Sequence, residues 1–252
     1  EEFKNSDFRP LDLELAVGRD IPPLRYGEGE QAVVVTGRVD RVDGYRKDGA
    51  LYLRVVDYKT GLRQLEYGEL YQGIGLQMLL YLSALLQNGQ QRYGENLLPA
   101  GVVYAPVRLD IVSADDRAID DEALQRERKK MIRRNGLLLD REEVLLAMDR
   151  SGRFQHLPVS ARERDGVLQI DRRGSSLASL EELGALQVYI EQLLRDTAQA
   201  LQQGQVSVNP IRDRRRAGVD ACRFCDMAPV CRWEGEERTP AALSAADFWR
   251  AV

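Results

Sequence analysis

Cysteine and histidine are scarce in this chain of 252 residues, which holds three cysteines and one histidine. No cysteine precedes Cys222, and pairing among the three would leave one over, so the sequence does not predict a disulfide framework. The one histidine, His156, has no companion ligand residues near it. We therefore expect His156 to be a bystander rather than part of a metal or catalytic site.

The chain also lacks a long hydrophobic run and a large excess of charge of either sign. No stretch of about 18 apolar residues occurs, so no membrane-spanning segment is expected. Apolar residues make up 44% and charged residues 30%, which is ordinary for a globular protein with a sizeable core. The net charge of −4 excludes little, because acidic metal ligands can outweigh basic groups that are confined to one groove.

A methionine start and a signal peptide are missing as well. The first residue is Glu1, and no signal-peptide pattern precedes Phe3. This indicates a piece of a longer polypeptide, although an arbitrarily placed boundary would look the same. The length allows one large domain or two small ones.

The most informative stretch covers residues 37–59, where the sequence predicts two β-strands joined by a tight turn. A β-branched run at residues 33–36 leads into the first strand, and together they have the pattern of a strand buried on both faces. Asp48 and Gly49 give the signal of a tight turn. The return strand, LYLRVV, ends in the triplet DYK at residues 57–59.

The charged residues at the end of this hairpin are candidates for a site. Side chains alternate between the faces of a strand, so Asp57 and Lys59 share one face and Tyr58 points away. If the hairpin is in register, Asp40 lies across from them. Two carboxylates and an ammonium group at the end of an apolar hairpin are costly to bury unless something binds there.

These groups suit the hydrolysis of phosphodiester bonds. Two converging carboxylates bind a hard divalent cation such as Mg²⁺ or Mn²⁺, which polarises the phosphate and lowers the pKa of a bound water. Lys59 would orient or help deprotonate that water and offset the charge that builds up on the phosphate. The alternative is a surface salt bridge between Lys59 and one of the aspartates, since Asp-x-Lys alone is a common pattern.

Three motifs occur in succession: Gly37-x-x-Asp40-Arg41-x-Asp43, then Asp57-Tyr58-Lys59-Thr60-Gly61, then Gln77-x-x-x-Tyr81. Together they resemble the motifs of the RecB-type branch of the PD-(D/E)xK nucleases. The resemblance implies that Asp40 and Asp57 are metal ligands, joined by the backbone carbonyl of Tyr58. It also implies that Lys59 is the catalytic lysine and that Gln77 and Tyr81 form a helical pair beside the site. Asp43 is not expected to be a ligand, because the family places its first metal-binding acid where Asp40 stands.

Residues 11–15 alternate as a short strand and contribute one more acidic candidate. In the resembling family an acidic residue or a histidine from this region can join the metal site, and Glu14 is the position that matches. The alternative for Glu14 is an exposed carboxylate on an edge strand. No histidine precedes Asp40, which departs from the relatives that use one.

The segments after the hairpin predict the fold class. Residues 69–87 have the pattern of one amphipathic helix. Gln77 on this helix is either a core amide or a group held toward the site, and its spacing from residues 57–59 favours the site. Residues 98–107 predict a further strand. This order predicts an α/β fold with a mixed central sheet flanked by helices, and the resemblance implies a restriction-endonuclease-like core.

Two helical regions follow in the predicted structure. Residues 120–150 look helical in two parts around Asn135-Gly136, and residues 175–203 predict a long helix with an internal capping signal at Ser179 and Glu182. The first region carries a basic cluster, which is either a solvated helix face or a ridge that contacts DNA phosphates. Its members are Arg126, Arg128, Lys129, Lys130, Arg133 and Arg134.

The three cysteines, Cys222, Cys225 and Cys231, have the spacing C-x2-C-x5-C. This spacing indicates metal ligation with one ligand missing for a four-coordinate centre, and free structural cysteines are the alternative. In the resembling AddB group three such cysteines and one far upstream hold a [4Fe–4S] cluster. The resemblance implies a cluster whose fourth cysteine lies outside this chain, incomplete or absent in the fragment, with zinc as the alternative metal.

The same resemblance implies one nuclease domain over residues 1–252. Its expected parts are a catalytic core at 14–110, a helical and insertion region at 111–204 and a cysteine segment at 205–252. The implied partners are DNA, an AddA-type helicase–nuclease subunit and the rest of an AddB-type polypeptide in the cytoplasm, with cutting of the 5′-ended strand at double-strand breaks. The alternatives are a free-standing exonuclease of the CRISPR-adaptation type and an inactive DNA-binding scaffold.

Overall fold

A central sheet of six strands organises the computed structural model, which describes residues 2–27, 29, 32–61, 64–107, 132–164, 167–212, 220–235 and 238–252. The order across the sheet is β1-β4-β5-β6-β7-β10. These strands are β1 (Arg9–Val17), β4 (Gly37–Lys47), β5 (Ala50–Lys59), β6 (Leu97–Pro106), β7 (Asn135–Leu139) and β10 (Leu177–Ala178).

The sheet is mixed, as the sequence predicts. β4 runs antiparallel to β1 and β5, β6 runs parallel to β5, and β7 runs antiparallel to β6 and parallel to β10. Two smaller sheets pair β2 (Leu24–Tyr26) with β3 (Val33–Val35) and β8 (Ser160–Arg164) with β9 (Val167–Asp171).

Helices pack on the sheet and complete the α/β fold. They are α1 (Tyr67–Tyr71), α2 (Gln77–Asn88), α3 (Gln90–Tyr93), α4 (Glu142–Met148), α5 (Leu180–Gln202), α6 (Ala228–Cys231) and α7 (Ala245–Ala251). Short 3-10 turns cover Glu2–Lys4 and Ala221–Phe224. α2 packs against β5 and β6, and α4 packs against β7. The fold class predicted from the sequence is therefore confirmed.

The chain divides into two compact units. The first comprises Glu1–Arg25, Val34–Leu65 and Leu76–Val188, and it contains the six-stranded sheet. The second comprises Tyr26–Val33, Glu66–Gly75 and Tyr189–Val252. Within the second unit, the ring of Tyr67 packs on Phe248 at 4.9 Å between centroids, and Tyr71 stacks on Tyr189 at 5.6 Å. Among the described residues, no helix combines the length and the apolar character needed to cross a membrane.

The hairpin turn forms where the sequence places it. Asp48 and Gly49 have φ angles of 50° and 77° between the end of β4 and the start of β5. Positive φ at both central residues is the type I′ pattern, whose twist matches that of the flanking strands. The turn therefore fixes the register of β4 against β5.

Two predictions on either side of this hairpin are wrong. The β-branched run does not extend the first strand, because Val33–Val35 form the separate β3, whose side chains are only partly buried. The predicted helix at residues 69–87 is divided into α1 and α2. Gly73 and Gly75 have φ angles of 79° and 73°, and this left-handed backbone interrupts the helix between them.

The later helical predictions also need correction. Asn135-Gly136 does not separate two helices, because it begins strand β7, whose leucines are buried against the core. The long helix starts at Leu180 rather than near residue 175. Its start is the capping signal itself: Ser179 N donates to Glu182 at 2.7 Å, and Glu182 N donates to Ser179 Oγ at 3.0 Å.

Candidate active site

Asp40 and Asp57 meet at the open end of the hairpin. The antiparallel register pairs Arg41 with Val56, which places Asp40 opposite Asp57. The backbone N–H of Tyr58 donates to Asp40 Oδ2 at 2.8 Å. This hydrogen bond holds the Asp40 carboxylate against the strand that carries Asp57.

Lys59 lies on the same face as Asp57. Its Nζ is 2.6 Å from Asp57 Oδ2, and the side chains are 36% and 8% exposed respectively. A salt bridge between Lys59 and an aspartate was the alternative to a catalytic site, and this contact is compatible with both interpretations. However, the pair is not an ordinary surface salt bridge, because its carboxylate is buried.

Glu14 occupies the next strand in the same row. Leu13 pairs with Arg41 and Leu15 with Val39, so Glu14 is opposite Asp40. Its φ of 54° is unusual for a residue within a strand. The Glu14 side chain is 62% exposed and its Oε2 lies 3.4 Å from Arg38 Nη1. The role of Glu14 as a metal ligand stays a prediction.

The predicted pair on α2 lies beside the strand that carries Asp40. Gln77 is the first residue of α2 and is exposed, so it is not a core amide. Its Nε2 donates to Tyr81 Oη at 3.1 Å. A Cβ atom on Gly37 would lie only 2.5 Å from that hydroxyl, so the missing side chain of Gly37 lets Tyr81 approach β4. The structure thus brings the third motif to the first.

A buried cluster of Arg41, Asp43 and Arg54 lies on the other face of the hairpin. Arg41 Nε is 2.9 Å from Asp43 Oδ1, and Arg54 Nη2 is 2.6 Å from Asp43 Oδ2. Asp43 is completely buried. Arg41 Nη1 also donates to Tyr58 Oη at 2.6 Å. The cluster therefore anchors the residue that lies between Asp57 and Lys59.

Sequence reasoning missed this cluster, although one signal was present. Arg54 interrupts the otherwise apolar strand LYLRVV, and the register of the predicted turn puts it directly across from Asp43. An arginine in such a strand needs a buried partner. The finding agrees with the expectation that Asp43 is not a metal ligand.

The donor set of the site fits a hard cation. Asp40 and Asp57 supply carboxylate oxygens from neighbouring strands, and the carbonyl of Tyr58 is an oxygen donor on the same strand as Asp57. Mg²⁺ is commonly bound by one or two carboxylates and keeps several waters. Among the described residues, no three carboxylate, thiol or imidazole groups converge on one point, so a third carboxylate is not part of this set.

The basic cluster is only partly within the described residues, since Arg126, Arg128, Lys129 and Lys130 lie outside them. Arg133 and Arg134 are not on a helix, contrary to the prediction, because they belong to the irregular segment that enters β7. Arg133 donates to the backbone carbonyls of Leu157 and Val159 at 3.3 and 3.4 Å. Its guanidinium therefore stabilises a loop.

The cysteines lie in the second unit. Cys222 belongs to the 3-10 turn Ala221–Phe224, and its backbone N–H donates to Asp220 Oδ1 at 3.0 Å. Cys231 is the last residue of α6, and both Cys225 and Cys231 are exposed. In the described part of the chain the three thiols do not form a ligand group by themselves. The predicted metal centre stays a prediction.

The chain as a whole matches a known family. Residues 1–232 match the PD-(D/E)XK nuclease superfamily. The chain therefore belongs to the PD-(D/E)XK nuclease superfamily, and the resemblance seen in its motifs is confirmed.

Relatives narrow this further, to proteins named as the AddB-type subunit of an ATP-dependent helicase/deoxyribonuclease. The chain is 34% identical to the one from Moorella thermoacetica and 32% identical to the one from Desulforudis audaxviator, over 99% of this chain and 22% of each relative. It is 30% identical to that of Acetivibrio thermocellus, over 93% of this chain and 20% of the relative. The chain thus spans about a fifth of the length of these relatives.

Proposed function

We propose that the first unit hydrolyses phosphodiester bonds of DNA with the help of Mg²⁺ or Mn²⁺. The observation that supports this most directly is the hairpin register, which sets Asp40 opposite Asp57 with Lys59 on the same face. The proposed ligands are Asp40, Asp57 and the carbonyl of Tyr58. When bound there, the cation would polarise the phosphate and make hydroxide available near neutral pH.

The residues around the ligands have separate tasks in this proposal. The N–H of Tyr58 orients the Asp40 carboxylate, and Asp57 holds the ammonium of Lys59 on the catalytic face. Lys59 donates a hydrogen bond to the attacking water and offsets negative charge on the phosphate oxygens. The hydroxyl of Tyr81 and the amide of Gln77 line the approach beside β4.

The relatives support a particular setting for this chemistry. Their name describes one subunit of an enzyme that is an ATP-dependent helicase and a deoxyribonuclease. We propose that this chain is the nuclease part of such a subunit and resects double-strand breaks by cutting the 5′-ended strand. The rest of the polypeptide and an AddA-type subunit, which cuts the other strand, would be its partners.

We expect cleavage by this chain to depend on a divalent cation. With a linear DNA substrate, EDTA should abolish cleavage, and Mg²⁺ or Mn²⁺ added in excess should restore it, because the proposed donors are all oxygens. Product lengths on 5′-labelled and 3′-labelled strands report polarity. DNA binding without cleavage at any cation concentration would instead favour the inactive scaffold.

We also propose that Cys222, Cys225 and Cys231 hold one side of a [4Fe–4S] cluster whose fourth cysteine lies outside this chain. Thiolates are the right donors, but three leave one corner open. The fragment expressed without oxygen should therefore bind iron weakly or not at all, and the full-length subunit should bind about four irons with acid-labile sulfide. Four irons bound stably by the fragment alone would contradict a distant fourth ligand, and zinc in place of iron would assign the other metal.

A further inference from the structure

A basic cavity of about 310 Å³ lies in the first unit, away from the carboxylate site. Its walls come from the N-terminal segment, from β5, from the segment before β7 and from the loop that follows α4. Arg54 and Asp57 are three residues apart on β5, so their side chains point to opposite faces of the sheet. The cavity is therefore not an extension of the proposed catalytic site.

The side chains that line this cavity carry an excess of positive charge. Lys4, Arg54, Arg134 and Arg153 are cationic, whereas Asp149 is the one carboxylate among the described residues of the lining. Asp149 Oδ1 already accepts from the backbone N–H and the hydroxyl of Ser151, at 3.0 and 2.6 Å. Lys4 and Arg153 form no ion pair with a carboxylate in the described part of the chain. Such a lining disfavours a cation and favours an anion.

Hydrogen bonds between the segments hold the cavity in shape. The backbone N–H of Arg150 donates to the carbonyl of Asn5 at 2.8 Å, and that of Asp7 donates to Ala147 at 2.7 Å. On the other side, the N–H of Arg134 donates to the carbonyl of His156 at 3.3 Å. Arg54 is 1% exposed and is oriented by Asp43. The cationic groups are therefore positioned before any ligand arrives, which lowers the entropic cost of binding.

We propose that this cavity binds a phosphoryl group, either of a free nucleotide or of a DNA strand end. A terminal phosphate carries about two negative charges at neutral pH and offers several acceptor oxygens, so it suits this excess of cationic donors better than a single carboxylate does. The volume is at the lower end of the range of about 300–1,000 Å³ for small-molecule sites, and so it suits a mononucleotide-sized ligand. The proposal does not depend on the metal site.

The test is calorimetric binding of pyrophosphate at low salt in EDTA, with Arg153→Gln and a matched control, Arg162→Gln. Arg153 and Arg162 are both exposed, and Arg162 lies on β8 and does not line the cavity. Loss of one charge-assisted hydrogen bond should raise the dissociation constant about tenfold in Arg153→Gln. The control should bind like the parent, and adding Lys4→Gln should weaken binding further.

Further titrations identify the source of the phosphoryl group. If Arg153→Gln weakens the binding of dAMP, a free nucleotide is the ligand. If it weakens only a 5′-phosphorylated oligonucleotide and not its 5′-hydroxyl counterpart, a strand end is the ligand. An effect confined to pyrophosphate assigns the site to a free phosphate. A parent that does not bind pyrophosphate, or equal weakening in Arg153→Gln and Arg162→Gln, would overturn the proposal.

Discussion

Replacing Asp57 by asparagine should lower the rate of cation-dependent DNA cleavage by roughly two orders of magnitude or more. The substitution removes one of two carboxylate ligands and the partner that holds Lys59 at 2.6 Å. The fold should persist, because Lys59 is 36% exposed and can be hydrated once its partner is neutral. Single-turnover cleavage at saturating Mg²⁺ measures the effect, and circular dichroism checks the fold.

A matched control is available at the other end of the same hairpin. Asp48→Asn makes the same chemical change in the turn, and asparagine also accepts the positive φ found there. This variant should cleave like the parent, whereas Lys59→Ala should lose activity as Asp57→Asn does. A well-folded Asp57→Asn protein that cleaves at the parent rate would show that the site has been assigned wrongly.

Asp43→Asn should destabilise the first unit by about 3–5 kcal/mol, the usual cost of removing one partner of a buried ion pair. Asp43 lies between the guanidiniums of Arg41 and Arg54, at 2.9 and 2.6 Å, and is fully buried. Without its charge, two arginines on neighbouring strands face each other with less compensation. Urea unfolding followed by tryptophan fluorescence and circular dichroism measures the loss.

Asp40→Asn is the informative comparison, because Asp40 and Asp43 belong to the same strand and the same motif. Asparagine at position 40 can still accept the N–H of Tyr58, so we expect stability close to that of the parent and loss of cleavage. The two aspartates should therefore separate catalysis from folding. If Asp43→Asn unfolds within about 1 kcal/mol of the parent, the buried cluster does not stabilise the hairpin as its contacts indicate.

The sequence alone was enough for the parts of the site that depend on local rules. Side-chain alternation placed Asp57 and Lys59 on one face, and the Asp-Gly turn fixed the register that sets Asp40 opposite Asp57. The order of strands and helices indicated the mixed α/β fold. These features could be predicted because they follow from periods of two residues and from the chemistry of a two-residue turn.

Local rules failed where a glycine or a strand pairing overruled the periodicity. The pattern of residues 69–87 is helical, yet the positive φ angles of Gly73 and Gly75 divide it into two helices. The segment at Asn135 has a composition that suits a helix, but its leucines are buried in a strand between β6 and β10. In both places the packed surroundings decided the backbone conformation.

The sequence by itself therefore determined the family motifs, the hairpin and the acidic face at its end. Only the tertiary structure decided which charges lie together across the rest of the unit. It paired Asp43 with Arg41 and Arg54 rather than with a metal, and it gathered Lys4, Arg54, Arg134 and Arg153 around one cavity. The physical reason is that these residues come from distant segments, whose meeting depends on strand order and on buried packing that no local pattern encodes.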